Sequence, residues 1–146
     1  MKTLTLLALL FTATVFADTI DDKKMLYAIG QIETGGNRNA TNGGINGAVG
    51  MYQMRVPAWT DANAWLKSKG RQTFERSEWR SDVAQDAVAL AYLQVIKYRL
   101  KQMGVKDPTV EVVALCWNQG CGYARSHGFI PNDYAQRVGN IYNSLP

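Results

Sequence analysis

Between Ile29 and Gln53 the chain carries a single acidic side chain, Glu33. It stands at the end of an apolar helical pattern, with Gly35 and Gly36 just after it and an Asn- and Gly-rich stretch beyond. A carboxyl in that setting is desolvated on one side and lies at the negative end of its helix; both effects favour the protonated form. A carboxylic acid kept protonated near neutral pH is a general acid. The alternative for such a residue is an ordinary solvated helix end. Two other stretches carry groups able to hold a polar substrate. Gly47-Ala48-Val49-Gly50-Met51-Tyr52-Gln53-Met54 is a glycine-punctuated turn containing a phenol and an amide. Ala114-Leu115-Cys116-Trp117-Asn118-Gln119-Gly120 closes a helical pattern with an indole and two amides. Amides both donate and accept hydrogen bonds, and Tyr52 and Trp117 offer either stacking surfaces or core filling.

Other chemistries have little to stand on. The chain has 2 cysteines and 1 histidine. Cys116 and Cys121 flank Trp-Asn-Gln-Gly, a spacing that can close a tight disulfide in an oxidising compartment, with free thiols as the alternative. Two thiols and a distant His127 do not make a zinc site, and His127, next to Gly128, reads as an exposed loop residue. The sequence calls for no metal and no cofactor.

The elements that must position these groups read as helices. Met25, Leu26, Ile29 and Ile32 recur at helical spacing up to Thr34, where Gly35 and Gly36 supply the stop. Residues 37–47 read as a loop. Pro57 fits the first turn of a helix running to about Lys69, and Gly70 to Trp79 reads as a charged connection. Ser81 is the expected N-cap of the longest helix, about Asp82 to Met103. Its apolar residues, from Val83 to Ile96, cover most of its circumference, which predicts a buried central helix. Asp107-Pro108 opens another helix ending near Gly120. Asn132 caps the last, with Tyr134, Val138, Ile141 and Tyr142 turned inward. No stretch alternates at period two and no internal repeat is present, so the fold class is mainly α, in one domain.

Taken together, the motif stretches resemble the SLT-type lytic transglycosylases of the lysozyme-like superfamily. Glu33-Thr34 followed by Gly35-Gly36-Asn37 is similar to that family's catalytic Glu-Ser/Thr motif. Gly50-Met51-Tyr52-Gln53 is similar to its Gly-Leu-Met-Gln, and Cys116-Trp117-Asn118-Gln119-Gly120 to its Ala-Tyr-Asn-x-Gly. Tyr134 with Arg137-Val138 resembles its C-terminal Tyr and Arg-Val elements. The order agrees, and the likeness covers nearly all of residues 18–146. It departs at a longer loop after Glu33, at Gly44 where the family often has Ser, at Trp117 in place of Tyr, and at Cys121 in place of Pro.

The resemblance implies a lysozyme-like domain that cleaves the β-1,4 bond between N-acetylmuramic acid and N-acetylglucosamine, leaving a 1,6-anhydro end. Glu33 would be the catalytic acid and base. Thr34, Tyr52, Gln53, Trp117, Asn118 and Tyr134 would bind or position the substrate, Tyr134 by a hydrogen bond to Glu33. Glycosidases of the usual kind work with two carboxylates. Asp61, Glu75, Glu78, Asp82 and Asp86 read here as exposed helix or connector charges, which is consistent with a single-acid mechanism. A lysozyme-type hydrolase acting on the same bond with water, and a non-catalytic glycan-binding module, remain alternatives. Chitin oligomers are a second substrate class to consider.

Lys2 and the apolar run Thr3–Phe16, too short to span a bilayer, precede the small-residue pattern Val15-Phe16-Ala17. Residues 1–17 are therefore expected to be a signal peptide. Residues 18–146 would be an exported, periplasmic or extracellular domain without stable membrane insertion, acting as a monomer. The formal net charge is +4, and the basic residues are scattered rather than clustered. That excludes a nucleic-acid footprint and suits attraction to anionic surfaces such as a cell wall. Peptidoglycan glycan strands are the expected partner.

Overall fold

The computed structural model describes residues 19–146, and the expected signal peptide, residues 1–17, lies outside the described residues. The chain is mainly α: helices α1 (Asp22–Thr34), α2 (Val56–Ser68), α3 (Asp82–Gln102), α4 (Val110–Gln119), α5 (Cys121–Ser126) and α6 (Asp133–Ser144) surround a shared apolar core. Each boundary has a local cause. The Asp21, Ser81, Thr109 and Asn132 side chains accept N–H bonds from the first turns of α1, α3, α4 and α6. Pro57 sits in the first turn of α2. α1 ends where Gly35 takes φ 63°, returning its N–H to Gln31 and that of Gly36 to Gly30. α5, which the sequence did not suggest, starts after Gly120 turns the chain out of α4 at φ 88°.

α2 packs along α3, while α6 packs on both α1 and α4. The buried faces of α1 (Met25, Leu26, Ala28 and Ile29) and of α4 (Val113 to Trp117) each meet α3, within one core. No described helix is long and apolar enough to cross a membrane.

Three expectations are corrected. α3 is central but not enclosed: Val83 is 69% and Leu90 38% exposed. These residues share a stripe with Ala87 at helical spacing, and Ala87 and Leu90 line a pocket beside Trp65 and Phe74. The loop at 37–47 is not wholly irregular, because β1 (Thr41–Asn42) pairs antiparallel with β2 (Ala48–Val49), Thr41 opposite Val49 and Asn42 opposite Ala48. The connection at 70–79 is more than charged linker, since Phe74 and Trp79 are core residues. From it the Arg76 guanidinium reaches the carbonyls of Ile45 and Gly47 at 3.0 and 2.7 Å, anchoring the turn between β1 and β2.

Candidate active site

Glu33 in the last turn of α1 lines a cleft of about 560 Å³. Its walls come from distant parts of the chain: Gln53 to Ala58 where α2 begins, Tyr92 midway along α3, and Trp117 to Gly120 where α4 ends. Among the described residues, Glu33 is the single acidic residue lining the cleft.

Burial raises the Glu33 carboxyl above its ordinary range, opposed by the hydrogen bond from Tyr134 and by the charge of Arg55. The Tyr134 hydroxyl donates to Glu33 Oε1 at 2.7 Å. Burial, reinforced by the neighbouring carboxylate, pushes the Tyr134 phenol well above its ordinary value, so it remains a donor throughout the neutral range. One carboxyl oxygen is thus fixed by a phenol while Oε2 is left for proton exchange. Tyr134 is brought there by α6 packing on α1.

The glycine-rich turn is held from behind. Thr34 Oγ1 donates to the Met51 carbonyl at 2.9 Å, joining the residue after the acid to the turn. It also lies 3.3 Å from the Gly30 carbonyl. Thr34 thus ties the end of α1 to the turn and is not among the residues lining the cleft. Gln85, 2% exposed in the middle of the molecule, accepts from Met51 N–H at 2.9 Å and donates to the Arg38 carbonyl at 2.8 Å. Gly50 at φ 74° lies so close to this amide that a Cβ would meet Gln85 Oε1 at 2.5 Å. The turn delivers Gln53 to the cleft with φ 47°, a left-handed conformation uncommon outside glycine. Its Nε2 donates to the Gly50 carbonyl at 3.0 Å, leaving Oε1 to accept from a ligand.

Tyr52, expected from the resemblance to bind substrate, lies outside the cleft lining. Its ring is 5% exposed, and its hydroxyl donates to Asp86 at 2.8 Å. Residue alternation through the turn sends Gln53 outward and Tyr52 into the core. Asp86 is not an idle surface charge, because it also takes a bidentate pair from Arg38 at 2.9 and 3.1 Å.

Across the cleft, Trp117 stands edge-on to Tyr92, ring centroids 5.2 Å apart. Trp117 is 9% exposed, so the indole is largely core and shows the cleft only part of its surface. Asn118 is exposed, and its Oδ1 accepts from Gln119 at 2.7 Å and Asn132 at 3.2 Å. These bonds orient its amide and leave the NH₂ group as a donor.

Cys116 and Cys121, for which the spacing left a disulfide or free thiols open, are free and buried here. The corner between α4 and α5 brings them together, and the neighbouring Cys121 thiol, with burial, holds the Cys116 thiol far above its ordinary range.

Sequence reasoning passed over three residues that build this site: Arg55, Tyr92 and Gln85. Arg55 lies directly after the glycine-rich motif, and Tyr92 was hidden in the apolar pattern of α3. Gln85 carried a signal, a lone amide sharing a helical stripe with Ala89, Tyr92 and Ile96. No protein-family model, curated protein or solved structure matches this chain.

Proposed function

We propose that this protein is a peptidoglycan lytic transglycosylase with a lysozyme-like arrangement of its helices, exported and acting alone on glycan strands. The observation that supports this most is the solitary acid: a part-buried Glu33, held at one oxygen by Tyr134, in a cleft lined by an indole and several amides with no second carboxyl among the described residues. Two-carboxylate glycosidases keep their pair about 5–10 Å apart across the bond they cut. Two of the acidic residues weighed from the sequence are engaged elsewhere, Asp61 with Arg99 and Asp86 with Arg38 and Tyr52.

A single carboxyl suffices if the substrate provides the remaining groups. Protonated Glu33 gives its proton to the glycosidic oxygen as the bond from the anomeric carbon breaks. The acetamido oxygen of the same sugar supports the developing positive charge. The Glu33 carboxylate then takes the proton of the 6-hydroxyl, whose oxygen closes on the anomeric carbon. The acid is restored, no water is consumed, and a 1,6-anhydro end remains. Gln53 Oε1 and the Asn118 amide would hold the sugar's hydroxyl and acetamido groups during these steps.

Digesting purified sacculi and weighing the soluble muropeptides tests the reading. Anhydro ends, each lighter by one water than a reducing end, are expected. Reducing ends throughout would make the protein a hydrolase of the same bond. Binding without release of any fragment would make it a glycan-binding module.

A further inference from the structure

Arg55 is the one cationic side chain lining the cleft among the described residues. Four other cations of the described chain have partners of their own: Arg38 has Asp82 and Asp86, Lys97 has Asp22, Arg99 has Asp61, and Arg76 has the carbonyls of Ile45 and Gly47. Arg55 makes no side-chain hydrogen bond or ion pair with any described residue. It is close enough for its charge to act on Glu33, yet the two form no salt bridge. In its working form the acid is protonated and neutral, so the loaded cleft presents one uncompensated guanidinium to whatever lies beside the bond being broken. A planar fork of donors in that position matches a carboxylate.

Resting on the transglycosylase reading, we propose that Arg55 determines substrate class by pairing with a carboxylate on the side arm of the muramic acid residue, selecting anionic wall glycan over neutral chitin-type glycan. In strands stripped of peptide that group is the lactyl carboxylate itself. In intact wall it is a carboxylate of the peptide stem. Both sources present the same chemistry to the guanidinium.

The test measures cleavage and binding on three substrates: peptide-stripped glycan strands, intact sacculi and N-acetylglucosamine oligomers. Wild type is compared with Arg55→Gln, Arg55→Lys and, as a charge control remote from the cleft, Lys106→Gln. Arg55→Gln is expected to lower the ratio of kcat/KM for stripped strands over neutral oligomers by about tenfold or more, chiefly through KM, and to weaken its dependence on salt. Arg55→Lys recovers part of the ratio, and Lys106→Gln leaves it at the wild-type value. Loss on stripped strands identifies the lactyl group as the partner, and loss confined to sacculi identifies the peptide stem. Charged-over-neutral ratios unchanged for both stripped strands and sacculi, or equal loss on charged and neutral substrates, overturn the assignment and leave the enzyme reading standing. Binding measured in the Glu33→Gln background separates the two conclusions. Charge-selective binding that Arg55→Gln abolishes, in a protein whose wild type cleaves nothing, overturns the enzyme reading alone. Absence of binding to any of the three glycans overturns both.

Discussion

The Tyr134 hydroxyl reaches Glu33 Oε1 at 2.7 Å from 101 residues further along the chain, so α6 closes the site that α1 opens. The contact opposes the effect of burial: burial raises the carboxyl's pKa and the phenol's hydrogen bond lowers it. Removing the phenol therefore changes both orientation and acidity. Tyr134→Phe is expected to lower kcat about tenfold with the fold intact, because a misplaced acid loses part of its positional advantage. The same variant moves the alkaline limb of the pH–rate profile to higher pH. A limb that moves down, or stays, contradicts the role given to this hydrogen bond.

Glu33 acts first as an acid, so activity is expected to fall as pH rises through its raised pKa. Glu33→Gln should cost about 10²–10⁴ in rate. It also has a stability signature. The folded-state pKa lies above the unfolded one, so the native state is favoured at low pH and loses that advantage as pH rises through the folded value. A neutral amide carries no such penalty. Thermal melts should show Glu33→Gln above wild type at neutral pH, with the difference vanishing below the ordinary carboxyl range.

Gly50 combines a left-handed backbone at φ 74° with contact on the buried Gln85 amide. Gly50→Ala must strain the backbone and displace the amide that holds Met51 and Arg38. A loss of about 1–3 kcal/mol is expected in denaturant unfolding. Gln85→Leu would leave the Met51 N–H buried without its partner, costing a similar amount, and should also lower activity because Gln53 hangs from the same turn. Full activity in either variant would detach the turn from the site.

Trp117 is mostly core, so truncation confuses two effects. Trp117→Ala is expected to cost about 3–5 kcal/mol of stability. Trp117→Phe keeps an aromatic ring near Tyr92 while shrinking the surface offered to the cleft. It should raise KM a few-fold, corresponding to about 0.5–1.5 kcal/mol of aromatic contact, at little cost in stability. Steady-state kinetics beside urea titrations separates these outcomes.

Residue pattern alone determined most of the secondary structure. Apolar spacing, the caps Ser81 and Asn132, the stop at Gly35 and Pro57 in a first turn are local signals whose physics acts within a few residues. It also singled out Glu33, because an isolated acid at the end of an apolar helix is conspicuous without any knowledge of its neighbours. What lay around that acid was decided by packing. Whether Tyr52 or Gln53 faced the cleft depended on a turn whose direction is fixed by Gln85, a residue on another helix. Arg55 and Tyr92 had no motif to announce them, and only the convergence of α2, α3 and α4 made them walls of one cleft. The paired thiols follow the same logic: sequence gave their spacing, while the α4–α5 corner set their contact and burial. Likewise Val83 and Leu90 read as core by pattern, but hydrophobic periodicity reports which face of a helix is apolar, and only the other helices determine whether that face is covered.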